Sequence, residues 1–187
     1  MMKTKSLEQL AEVRKIKVHE PFAEFLKAEP AMHSFEISLL DCYRMAGHAC
    51  YAMTGAFLVT EAAVIKLFPE TGVCERGDVK VEFGSQLNEL ATGPRSNVIT
   101  FITGAWADTG FAGLKGNFIR KNLVSFGHSE LSKTAVKFSR VSNQQSVVVD
   151  YDPSIATSRL KHELDFPDKW RVEICEILEK SNEVIKI

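Results

Sequence analysis

The chain reads as an α+β protein, with helices packed on a mostly antiparallel sheet. Three observations predict this. Apolar residues recur at helical spacing in the first third and lead into a long small-and-apolar run from Tyr51 to Phe68. Val79, Val81 and Phe83 then alternate with Lys80 and Glu82, the pattern of a half-buried strand. Helices come first and strands later, which suits segregated rather than alternating elements.

In order along the chain, Ser6 to Ile16 places Leu7, Leu10, Ala11 and Val13 at amphipathic spacing, with Ser6 as N-cap. A second helix begins after Pro21, carries Phe22, Phe25 and Leu26 on one side, and stops near Pro30. His33 to Met45 reads two ways. Phe35, Ile37 and Leu39 alternate like a strand, whereas Ile37, Leu40, Tyr43 and Arg44 fit a helical face; we read the second half as helix, ended by Gly47. Tyr51 to Phe68 is predicted as a helix apolar on most sides and therefore buried, with Pro69 beyond its end. Its Ala52, Gly55 and Ala56 leave room for another backbone or another chain, so a homodimer is expected. After the strand at Val79, a more buried strand is expected over Asn97 to Thr103. A glycine-rich stretch follows, then strands over Leu123 to Phe126, Ala135 to Val141 and Val147 to Val149, and a terminal amphipathic helix over Asp168 to Ile187. No repeat, low-complexity tract or long linker interrupts residues 1–187, so a single domain is expected, with N-terminal helices over 6–28 and C-terminal strands and helix over 134–187.

Composition narrows the function classes. A formal net charge of -1 gives no electrostatic case for nucleic acid or an anionic membrane surface. The longest apolar candidate for a span, Ala46 to Val64, is broken by His48, Thr54, Thr60 and Glu61. The basic start Met1 to Ser6 is followed by mixed rather than apolar residues, so no signal peptide is expected and the cytoplasm is the default location. Cys42, Cys50, Cys74 and Cys175 form no CxxC pair and no framework, which suits individually placed, reduced thiols.

Reactive side chains concentrate in Gly47-His48-Ala49-Cys50, at the start of the long helix. Unsatisfied N–H groups and the positive end of the helix dipole favour a thiolate there. Imidazole and thiolate are natural ligands for zinc or a related transition metal, and a third ligand would come from His33, Cys42 or Cys74. Without metal, the same pair suits a nucleophilic or redox thiol beside a histidine. The plainer alternative makes Cys50 a small buried residue and His48 a helix-start residue bonded to the backbone. The glycine-rich segment Thr103 to Asn117 is expected to follow a buried strand and wrap a ligand, with Thr103, Trp106, Asp108, Lys115 and Asn117 as contacts, or else to be a solvated turn. It matches neither a Walker loop nor a dinucleotide fingerprint. His19, His128 and His162 lie in polar contexts and are expected to be exposed, and Cys175 to be core.

Gly47-His48-Ala49-Cys50, followed by a small-residue helix through Thr54-Gly55-Ala56-Phe57-Leu58, resembles the opening motif of the FmdE family, named for a component of formylmethanofuran dehydrogenase. Thr103-Gly104-Ala105 and Gly116-Asn117-Phe118 resemble its second, glycine-containing motif, so the likeness spans roughly residues 33–127. The sequence departs from the family pattern at three places. Tyr51 stands where proline is usual, Ala46 where some members carry histidine, and Ala105 where some carry cysteine. With Cys175 the lone cysteine of the last third, the C-terminal zinc finger of some members is missing. The resemblance implies an α+β core, commonly dimeric, with a metal held by His48 and Cys50. It also implies association with a molybdenum or tungsten oxidoreductase that handles one-carbon units.

Overall fold

The computed structural model describes residues 6–157 and 165–187. The basic start of the chain and His162 lie outside the described residues. The architecture is α+β: a three-stranded and a five-stranded sheet, mostly antiparallel, are packed with helices.

Helix α1 (Leu7–Val13) opens with a reciprocal cap. Ser6 Oγ accepts from the Gln9 N–H, and Gln9 Oε1 accepts from the Ser6 N–H. The helix stops short of the expected Ile16 because Lys15–His19 forms strand β1, with Ile16 and Val18 inward and Lys15 and Lys17 outward. Short helices α2 (Pro21–Phe25) and α3 (Pro30–His33), each with proline in its first turn, carry the chain back. Strand β2 (Ser34–Ser38) then pairs antiparallel with β1, placing His19 opposite Ser34. As read from sequence, the second half of the ambiguous segment is helical. It is α4 (Leu39–Ala46), capped by Ser38 and ended by Gly47 at φ 78°.

Helix α5 (Tyr51–Leu67) is the centre of the core, buried along nearly all of its length. Its neighbours are α4, α6 (Thr92–Thr103), α8 (Asp168–Glu179) and strand β7 (Ser146–Tyr151). Buried Thr54 and Thr60 return their hydroxyls to the carbonyls four residues back, at 2.8 and 2.7 Å, so neither is left without a partner. Among the described residues no helix is long and apolar enough to cross a membrane.

The expected strand over Asn97 to Thr103 is the helix α6. Its β-branched residues suggested a strand, but Pro94 sits in a first helical turn and Gly104 supplies the left-handed stop at φ 68°. Val98, Ile99 and Ile102 fall on one face, packed within the core around α5. Tertiary burial of that face outweighs the weak helical propensity.

Strand β3 (Val73–Glu75) runs parallel to β1 and completes the smaller sheet in the order β2-β1-β3. The larger sheet contains β4 (Val79–Phe83), β5 (Val124–Ser125), β6 (Val136–Arg140), β7 and β8 (Ile185–Lys186), in the order β5-β4-β6-β7-β8. Only the β4–β5 pairing in it is parallel. The expected C-terminal helix is likewise divided. A short α7 (Ser154–Thr157) follows β7; α8 is succeeded by α9 (Ser181–Val184), and the chain then pairs as β8 with Asp150 and Tyr151 at the free edge of β7.

Gly55 is where a strand meets the buried helix. A Cβ there would collide with the Tyr151 ring, so the small-residue face is filled within the chain. Gly55→Ala is expected to lower unfolding free energy by about 1–3 kcal/mol in a urea titration. The double variant with Tyr151→Ala should lose less than the sum of the two single losses, because removal of the ring removes the clash.

Candidate functional site

At the start of α5 the chain leaves Gly47, passes through exposed His48, and reaches Cys50 as N-cap in extended conformation (φ -154°, ψ 169°). The Cys50 carbonyl accepts from Thr54 N–H and Oγ1–H, at 3.0 and 2.8 Å, while its side chain makes no capping hydrogen bond. Thr54 Oγ1 lies 2.6 Å from the Tyr43 hydroxyl, which ties α4 to the same turn. His48 Nδ1 lies 3.1 Å from the Ala46 carbonyl. A carbonyl can only accept, so in this bond the ring donates from Nδ1 and keeps the lone pair on Nε2. This is the tautomer a metal ligand needs, held by a backbone oxygen.

Helix α8 covers this turn. The Tyr51 ring stacks on Trp170 at a centroid distance of 4.5 Å, and its hydroxyl donates to Glu173. Trp170 Nε1–H donates to the Ala49 carbonyl at 3.0 Å. Burial raises the Glu173 carboxyl above its ordinary range, and Glu176 adds to the shift. Tyr51 is thus a residue that docks the C-terminal helix over the His-x-Cys turn.

The candidate third ligands are dispersed. Cys42 on α4 and Cys74 on β3 are buried, and burial pushes both thiols up to about 12, with the Asp41 charge adding at Cys42. The Tyr43 hydroxyl is raised by burial, and the thiols of Cys50, Cys175 and Cys42 act on it in the same direction. Cys175, expected in the core, is only half-buried, and the helical cover brings it towards the same tyrosine. Position on α8, far from the motif in sequence, concealed that relation.

His33 belongs to another group. Among the described residues, His19, Glu24 and His33 are the group of at least three potential ligands whose donor atoms all lie within 4.8 Å of one another. His19 and His128 are both half-buried, contrary to the exposed positions expected. His19 is held between Glu75 and Glu24, and His128 bonds Ser125 Oγ at 2.8 Å. The signal for the first group was the strand alternation of Lys15–His19, which sets His19 at the end of β1 beside the chain return at His33.

The glycine-rich loop follows a helix rather than the expected strand. Thr103 is fully buried as the last residue of α6, donating to the Ile99 carbonyl and accepting from the Ala105 N–H, so it is consumed in ending the helix. Asp108, Lys115 and Asn117 are not buried and stand on the solvent side of the loop. Trp106 lines a cavity of about 340 Å³ with Phe22, Phe111, Glu20, Arg76 and Arg120. Sequence reading missed these last three. Buried Arg120 bonds Glu20, and Arg76 Nε lies 3.7 Å from the same carboxylate. Gly77 and Gly104 leave the space the Arg120 side chain occupies, since a Cβ at Gly104 would collide with its Nη1. The glycines were the visible trace of a bulky group laid against backbone.

Comparison of the chain with protein-family models, with curated proteins and with solved structures finds no match.

At pH 8, a thiol with a value near 12 is thiolate in roughly one molecule in 10⁴. Iodoacetamide followed by peptide mass mapping should therefore leave Cys42 and Cys74 unmodified in the folded chain and alkylate both in urea. Rapid native labelling of either would contradict the burial described.

Proposed function

We propose that the protein is an FmdE-like metal-binding protein, with His48 and Cys50 as ligands to a transition metal, zinc first among the candidates. The observation that carries this reading is the Ala46 carbonyl at His48 Nδ1, which fixes the ring with Nε2 free, two residues before a cysteine whose side chain makes no cap. Cys50 stands at the N-terminal end of a 17-residue helix, where its side chain is not used as a cap. The residues that resemble the family motifs support the same reading. An accessory role follows, linked to a molybdenum or tungsten enzyme of one-carbon metabolism, with a second copy of the chain as a further partner.

A second reading is a small metal- or thiol-dependent enzyme acting on a small polar substrate. The cavity beside Trp106 favours it, because Arg76 and Arg120 line it together with a single carboxylate, Glu20, so positive charge is in excess there for a small acidic substrate.

Elemental analysis of gently purified, untagged protein tests the first reading. Near-stoichiometric metal, reduced in both His48→Ala and Cys50→Ala, is the expected result; metal content unchanged in both variants would remove these ligands. Light scattering at micromolar concentration should give twice the chain mass, and a monomer mass would remove the dimer.

A further inference from the structure

Residues 19–33 hold a constellation separate from the His-x-Cys turn. His19 ends β1, Glu24 is on α2 and His33 ends α3, and the Glu20 N–H to His33 carbonyl bond of 2.8 Å closes this return. The two imidazoles meet edge to face with centroids 5.8 Å apart.

The charges around His19 are informative. Glu75 Oε1 lies 2.7 Å from Nδ1, and Glu24 Oε2 lies 3.2 Å from Nε2. A carboxylate thus stands at each ring nitrogen. A neutral imidazole can donate to only one of them, and the shorter bond to Glu75 assigns the proton to Nδ1. Nε2 faces the Glu24 oxygen at 3.2 Å, and a donor atom of His33 completes a group whose atoms all lie within 4.8 Å of one another. A metal ion uses all three donors. Two ligands bound to tetrahedral zinc at its usual N and O distances are about 3.3 Å apart, close to the separation of Nε2 and the Glu24 oxygen.

We propose that His19, Glu24 and His33 bind a divalent transition-metal ion, zinc or a neighbour in the first row, with Glu75 orienting His19 from behind. The ligand set is two imidazoles and one carboxylate, which leaves a fourth position for solvent. The carboxylate–histidine–metal relay from Glu75 fixes the tautomer and strengthens the ligand. All three ligands come from one short return between paired strands, so the ion would also clip β1 to β2. Glu24 is on the surface, with a side chain 61% exposed, which gives the ion an entry path and the donor freedom to close on it.

Titration of the chelator-treated full chain with Co²⁺, then Zn²⁺, tests this site independently of the His48 and Cys50 reading. Cobalt bound by two imidazoles and a carboxylate gives visible ligand-field bands without the near-ultraviolet charge transfer of a thiolate. The expected result is such a spectrum in Cys50→Ala, where the His-x-Cys turn has no thiolate to offer, and its loss when Glu24→Gln or His33→Ala is added to that variant. Glu24→Gln changes an exposed side chain, so its loss of metal would not stem from misfolding; circular dichroism checks this. Glu75→Gln should weaken zinc by about 10-fold or more. Zinc should raise the melting temperature of the parent by roughly 5–10 °C at a hundredfold excess over its Kd. If the parent takes up no metal, or Glu24→Gln and His33→Ala bind it as the parent does, the proposal is overturned. Metal lost in His48→Ala but kept in Glu24→Gln would overturn it while leaving the motif reading standing.

Discussion

A helix that is apolar on most sides has to be enclosed on most sides, and α5 imposes that condition on its neighbours. Burial at about 25 cal/mol per Å² of apolar surface rewards each element that covers it. This is why α6 is helical despite a β-branched sequence, and why Gly55 is bare where Tyr151 crosses. It also explains why the hydroxyls buried inside the helix belong to threonines that bond their own backbone. The motif turn inherits its position from this packing. Cys50 is drawn inward because α5 is buried from its first turn, while His48, just outside the covered backbone, stays in solvent.

Two imidazoles of the chain illustrate different routes to a defined tautomer. His48 is held by a neutral carbonyl and lies two residues from a thiol. His19 is held between carboxylates, in a local concentration of negative charge that also includes Glu20, itself paired with Arg120 and facing Arg76. The basic groups there are buried or half-buried and turned to Glu20, whereas Glu24 and Glu75 face His19. The chain therefore keeps a thiol-containing turn at one end of its long helix and a carboxylate-rich one at the return between β1 and β2.

Much of the fold was legible, and the failures have identifiable causes. The long helix, the capping residue Ser6, the stop at Gly47 and the alternation in β4 are local signals, and each formed as read. The α6 segment reads as a strand from its β-branched run, and only Pro94 in the first turn and Gly104 at the stop signal the helix. β1 was hidden inside an over-extended helix, although Lys15, Ile16, Lys17 and Val18 alternate cleanly. β8 had no local signal; it forms because β7 offers an unpaired edge. The same distinction governs the site. His48 and Cys50 are close in sequence and so were visible, whereas Arg120 with Glu20, 100 positions apart, became a pair only through the fold.

The contact of Tyr51 and Ala49 with Trp170 and Glu173 joins residues 121 and 122 positions apart. On the ribosome the His-x-Cys turn is synthesised well before its lid. For most of the time needed to make the chain, the nascent thiol faces the surrounding solution, and docking of α8 withdraws it. Chain order therefore leaves the turn uncovered through an early interval and covers it only once the C-terminal helix has been made and docked.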